Sequence, residues 1–158
     1  MRLCIFLLFV ATGGLFAQIP PKVTLSGLNA RVESHPDTLF VLNYWATWCK
    51  PCVLEMPYFE QIAKENANRA VKVIFVSLDL ASEYENRLAQ FLKRKQLQCE
   101  VLFLDEPKIQ TKIDEIDPSW TGALPATTFV RKSTQTRIFH EGDYTLESLQ
   151  SEISKLNP

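Results

Sequence analysis

One run constrains this chain more than any other feature. Leu39-Phe40-Val41-Leu42-Asn43-Tyr44-Trp45 is apolar at every position but Asn43. A strand with one wet face alternates apolar and polar residues, whereas a strand covered on both faces reads as a continuous apolar run. The run therefore predicts a strand inside a sheet that carries helices on both sides. Beyond it, Cys52, Met56, Phe59, Ile62 and Ala63 recur at helical spacing within residues 50–66. The chain must turn from strand to helix between the two. Val71 to Leu78 repeats the buried-strand pattern.

The remaining segments continue the alternation. Leu88, Phe91 and Leu92 give residues 83–95 the apolar face of a helix, with Lys93, Arg94 and Lys95 at the end where its dipole favours cations. Cys99 to Leu104 reads as a third strand, and a short helix falls around Pro107–Ile113. Ala126–Arg131 and Thr136–Glu141 form a strand pair around a polar turn. Leu146, Leu149, Ile153 and Leu156 mark a helix over residues 145–156. At the front, Val23 to Leu25 and Leu28 to Val32 flank Ser26-Gly27, which predicts a short strand pair. Parallel crossovers followed by a hairpin imply an α/β fold, with a mixed central sheet and helices on both faces. No repeat, low-complexity tract or linker divides it, and 158 residues suit one domain.

Charge and the N-terminus bear on function. Seventeen Lys and Arg against eighteen Asp and Glu leave a net charge of −1, with no basic excess for nucleic acid or an anionic membrane. Arg2 precedes an almost uncharged run from Leu3 to Phe16, followed by the small residue Ala17. Residues 1–17 therefore read as a secretory signal peptide, and residues 18–158 as the domain it exports. The run is shorter than the roughly 20 apolar residues of a membrane-spanning helix, and an uncleaved anchor is the alternative. Cys4 leaves with the signal peptide. Export would place Cys49, Cys52 and Cys99 in an oxidising, extracytoplasmic compartment, with the bacterial periplasm the leading expectation.

The chemistry centres on Trp48-Cys49-Lys50-Pro51-Cys52, at the turn from strand to helix. At a helix N-terminus the Cys49 sulfur would lie near unpaired N–H groups and the positive dipole end, which favour the thiolate. Lys50 adds positive charge. Cys52 follows one turn inside, within reach of Cys49 but less accessible. Such a pair can attack a substrate disulfide with one sulfur and resolve the mixed disulfide with the other. Trp48 would cover the site with an apolar surface. Two other uses of the pair stand beside this one. A structural disulfide closing so short a loop offers little entropic stabilisation. A zinc site needs about four ligands, and only Cys99, His35 and His140 are at hand to join the pair. Cys99 fits a buried, inert thiol better than a third redox or intermolecular one.

Trp45-Ala46-Thr47-Trp48-Cys49-Lys50-Pro51-Cys52, followed by Glu55-Met56-Pro57, resembles the thioredoxin superfamily, and most of all its exported TlpA/ResA-like thiol–disulfide oxidoreductases. The likeness runs over about residues 23–156. It implies a thioredoxin-like fold with a helix-and-strand insert at residues 79–104 and a proline kink at Pro57. It implies a redox-active disulfide between Cys49 and Cys52, with Cys49 the nucleophile and Cys52 the resolving residue. Leu124-Pro125 matches the family's cis-proline, so Leu124 and Pro125, with Trp48, become the expected substrate-binding residues. The threonine that commonly follows that proline is replaced by Ala126. Asn43 stands where cytoplasmic relatives carry a buried aspartate, and Glu55 becomes the expected group for proton transfer. Three residues beyond Cys52, Glu55 shares its helix face, and partial burial against Trp48 and the apolar strand would raise its pKa.

The resemblance implies an enzyme that reduces disulfides of extracytoplasmic proteins. It would be a monomer without bound cofactor, because the two cysteines carry the electrons. Its partners would be protein thiol or disulfide substrates and an upstream thiol reductant, membrane-embedded or soluble. A peroxide reductase of the same fold and a copper or zinc carrier using the same pair are the alternatives. Trp120 is read equally well as a core residue and as the border of a substrate groove.

Overall fold

The computed structural model describes residues 19–157, so the expected signal peptide lies outside the described residues. Six strands form one sheet: β1 (Lys22–Val23), β2 (Leu39–Trp45), β3 (Val71–Ser77), β4 (Glu100–Leu104), β5 (Ala126–Arg131) and β6 (Thr136–Glu141). Their spatial order is β1-β4-β3-β2-β5-β6. The first four run parallel, whereas β5 is antiparallel to β2 and β6 to β5. Helices α1 (Leu25–Glu33), α2 (Lys50–Glu65), α3 (Ala89–Lys95), α4 (Ile113–Ile116) and α5 (Leu146–Leu156) join and cover the strands.

The double burial of β2 explains its composition. Every residue from Leu39 to Trp45 is buried. Leu39, Val41 and Trp45 pack with Cys52, Met56, Phe59 and Ile62 of α2, Phe91 of α3, and Leu149 and Ile153 of α5. Phe40, Leu42 and Tyr44 face the other way, onto Leu25, Leu28 and Val32 of α1 and onto Ile116 and Trp120. The strand thus divides two apolar layers, and a polar residue on it must find its partner inside one of them.

The N-terminal strand pair is replaced by a two-residue strand and a helix. Only Lys22 and Val23 join the sheet, in register with Phe103 and Leu104. Thr24 then caps α1, its side chain accepting from the Gly27 N–H. Leu25, Leu28 and Val32 lie three and four residues apart, the period of a helix, and all three are buried. Ser26-Gly27 is the first turn of that helix rather than the corner of a hairpin.

Two other segments depart from regular helices. Residues 81–88 form a 3₁₀ turn and then a π turn before α3 begins. Tyr84 is fixed there from outside, its hydroxyl donating to the Pro20 carbonyl at 2.6 Å and its ring 4.8 Å from that of Phe103. The helix expected around Pro107–Ile113 is split into a 3₁₀ turn, Ile109–Thr111, and the short α4, after a left-handed backbone at Lys108. Residues 79–104, which hold α3 and β4, supply the expected helix-and-strand insert.

Candidate active site

The site forms where β2 gives way to α2. The turn Ala46–Cys49 is closed by the Cys49 N–H donating to the Ala46 carbonyl at 3.0 Å. Cys49 is the N-cap of α2, and its sulfur receives the Cys52 N–H at 3.3 Å. This is the juxtaposition of sulfur and orphan helix donors that stabilises a thiolate once the pair is reduced. The two cysteines are joined in a disulfide, with Cα atoms 5.4 Å apart. Cys49 is 5% exposed and Cys52 fully buried, so the outer sulfur is the one solvent reaches. Pro57, within α2, removes one helical hydrogen bond a turn past the site.

Glu55 lies one turn beyond Cys52 and is 2% exposed. Asn43 of β2 donates to Glu55 Oε1 at 2.8 Å, and the Tyr144 backbone N–H donates to Oε2 at 2.8 Å. Asn43 also donates to Thr127 Oγ1 at 3.2 Å, across the β2–β5 pair. Burial pushes the carboxyl up to about 7, against the two hydrogen bonds that favour its ionised form, with Asp143 adding to the rise. Of the two covers expected, the apolar strand β2 lies against Glu55, whereas Trp48 is 57% exposed and the chain entering α5 stands in its place.

Leu124 and Pro125 arrive at the same end of the sheet. Their peptide bond is cis, and β5 begins immediately after it, with Ala126 in register with Tyr44. Leu124 packs against the apolar layer that contains Cys49 and Cys52. The Pro125 carbonyl accepts from the Gly142 N–H at 2.9 Å. Cys49, Cys52, Glu55, Leu124 and Pro125 are thus gathered at the C-terminal end of β2, with Trp48 exposed beside them.

Other sequence candidates fall elsewhere. Cys99 is free and half-buried just before β4, its N–H donating to Glu60 Oε1 at 2.7 Å. Burial and the Glu60 carboxylate push its thiol far above the ordinary range, which leaves it neutral and unreactive. Trp120 is a core residue. Its ring lies 5.2 Å from Tyr44 and 5.7 Å from Phe139, and its Nε1 donates to the Ala123 carbonyl at 2.8 Å. His35 hydrogen-bonds Ser34, and His140 stacks on Tyr144 at 4.5 Å. Among the described residues, no three His, Cys, Asp or Glu side chains converge as metal ligands.

Sequence reasoning missed two contributors. The Tyr144 donor is a backbone group, and its side chain carries no signal of it. Asp79 is buried just after β3 and binds the turn that leads to Cys49. Its only trace is one acidic residue between Leu78 and Leu80, at the end of an apolar strand.

A mixed sheet with a Cys-x-x-Cys disulfide at the first turn of α2 and a cis-proline before the antiparallel strand defines a thioredoxin-like protein. The chain belongs to the AhpC/TSA family, whose profile matches residues 20–137. Among its relatives, the thiol–disulfide oxidoreductase ResA of Oceanobacillus iheyensis is 29% identical over 119 residues, which cover 75% of this chain and 57% of that protein. ResA of Bacillus cereus is 30% identical over 117 residues, covering 74% and 62%. The chain thus spans less than two thirds of the length of either. Solved structures with this fold include a thioredoxin-related protein of Neisseria meningitidis serogroup B, with TM-score 0.64, 22% identity and coverage of 75% and 84%. StoA from Bacillus subtilis aligns with TM-score 0.57, 19% identity and coverage of 72% and 81%.

Proposed function

We propose that this protein is an exported thiol–disulfide oxidoreductase that reduces disulfides of extracytoplasmic proteins. One observation carries the reading: a disulfide capping a helix N-terminus, with a buried carboxyl of near-neutral pKa one turn behind its inner sulfur. The names of the ResA relatives support the same chemistry.

In the reduced protein Cys49 is the thiolate nucleophile. It attacks one sulfur of a substrate disulfide, forming a Cys49–substrate disulfide and expelling the other substrate sulfur as a thiolate. Cys52 then gives up its proton, attacks Cys49 Sγ and displaces the first substrate sulfur. Glu55, in its ionised form, is the base that draws the Cys52 proton away, and in its acid form returns one when the pair is re-reduced. Two electrons pass to the substrate, whose two sulfurs leave as thiolates and take protons from solvent; the Cys52 proton stays on Glu55, and the Cys49–Cys52 disulfide remains. An upstream dithiol restores the reduced pair. Trp48 offers an apolar platform to the substrate. Leu124 offers backbone groups that, among the described residues, have no backbone partner, so an extended substrate segment can pair with them beside Pro125.

Residues 1–17 direct export, and residues 18–158 form the working domain. Among the described residues, no helix is long and apolar enough to cross a membrane. The reduced protein should cleave the interchain disulfides of insulin, with Cys49→Ser inactive and Cys52→Ser accumulating a mixed disulfide with its substrate. Absence of both turnover and adduct overturns the activity. Recovery of the full chain from the cytoplasm, rather than a mature form starting near Gln18, overturns export.

A further inference from the structure

We infer that Asp79 is a positioning residue for Cys49, holding the Ala46–Cys49 turn in place when the disulfide is open. The inference rests on the redox reading above. Asp79 is 5% exposed, and among the described residues no lysine or arginine pairs with it. A buried carboxylate without a cation must be satisfied by hydrogen bonds. Thr47 supplies most of them. Its N–H is shared between the two carboxylate oxygens, at 3.1 Å from each, and its hydroxyl donates to Oδ1 at 2.5 Å. The Ser77 hydroxyl donates to Oδ2 at 2.9 Å and accepts the Asp79 N–H at 3.2 Å. Ser77 closes β3 and is fully buried, so it anchors the carboxylate to the sheet. The adjacent Leu78 N–H donates to the Trp45 carbonyl at 2.8 Å. The chain from the end of β3 therefore clamps the chain from the end of β2, two residues before Cys49.

The redox state decides how much this clamp matters. In the oxidised protein the disulfide ties Cys49 to the first turn of α2. Reduction removes that tether. The Cys49 sulfur then stays over the α2 N–H groups only while the preceding turn holds its shape. Two sets of bonds hold that turn: the Cys49 N–H to the Ala46 carbonyl, and the donors that Thr47 gives to Asp79. Weakening the clamp costs the reduced form more than the oxidised form. The equilibrium shifts toward the disulfide, and Cys49 loses helix-terminal stabilisation of its thiolate.

Thr47→Val tests this with the Asp79 charge in place, removing one donor from the carboxylate. The glutathione equilibrium should move about tenfold toward the disulfide, equivalent to a potential about 30 mV more negative. Cys49 alkylation should slow at neutral pH. The melting temperature of the reduced form should fall further than that of the oxidised form. Thr47→Ser should restore all three. Asp79→Asn should shift the equilibrium in the same direction at acid pH, where both thiols are protonated and the lost charge no longer bears on a thiolate. Variants that exchange as the parent does overturn the inference, as does equal destabilisation of the two forms with no change in potential. A parent pair that fails to equilibrate with glutathione at all overturns the redox reading and this inference together.

Discussion

Glu55→Gln probes the proton store behind the disulfide. Burial holds the Glu55 carboxyl near 7, against its ordinary 4.5. The folded protein therefore binds this proton more tightly than the unfolded chain does. The stability it confers is complete below pH 4.5 and is lost as pH rises through 7. A gap of that size corresponds to about 3 kcal/mol, at about 1.4 kcal/mol per pH unit. The glutamine variant has no such proton. It keeps the shape of the side chain but offers one acceptor oxygen to two donors, Asn43 and the Tyr144 N–H. One donor is left facing an amide N–H, at a cost of about 1–3 kcal/mol that does not change with pH. Guanidinium unfolding of the oxidised protein is the assay, because the disulfide cysteines do not titrate. Subtracting the variant from the parent cancels every titrating group they share. The parent's advantage should shrink by about 3 kcal/mol, most steeply between 4.5 and 7, with half of it gone near about pH 6 and the loss ending just above 7. In the reduced protein the same substitution should slow disulfide exchange and flatten its pH profile near neutrality. Stability curves that run parallel would refute the raised pKa, and with it the reason for giving Glu55 a part in proton transfer.

Iodoacetamide at neutral pH should label Cys49 of the reduced protein much faster than the fully buried Cys52, as mass spectrometry of the digested protein will show; equal rates would contradict the assigned roles. Cys99 should resist the same reagent in the folded protein, and Cys99→Ala should leave insulin reduction unchanged, because burial and Glu60 keep that thiol neutral. Thr24→Ala should lower stability by about 1 kcal/mol in urea unfolding, the usual cost of a lost helix cap; no change would mean that the Thr24 bond to the Gly27 N–H does not hold α1.

What could be read in advance follows from how far apart the cooperating residues lie. The composition of β2 depends on its own two faces, so Leu39–Trp45 announced both the strand and its position within the sheet. The cysteines lie three residues apart, and the turn that joins their strand to their helix was legible with them. The N-terminal error was a conflict of local signals: Ser26-Gly27 looks like a turn, while Leu25, Leu28 and Val32 keep a helical period that only their common burial against β2 reveals. The setting of Glu55 lay beyond local reading. Spacing places it on the face of Cys52, but its partners come from Asn43, twelve residues before it, and from Tyr144, eighty-nine residues after it. In an isolated helix this side chain would be an ordinary exposed carboxylate. It becomes a buried acid because β2 and the start of α5 close over it, and two donors compensate only part of the solvation it loses. Asp79 also lay beyond local reading, because its Thr47 partner stands thirty-two residues before it. Its Oδ1 accepts from the Thr47 N–H and hydroxyl, and its Oδ2 from the same N–H and the Ser77 hydroxyl, so these bonds tie the turn before Cys49 to the end of β3. The two buried acids near the disulfide thus differ in the number and the source of the donors that reach them.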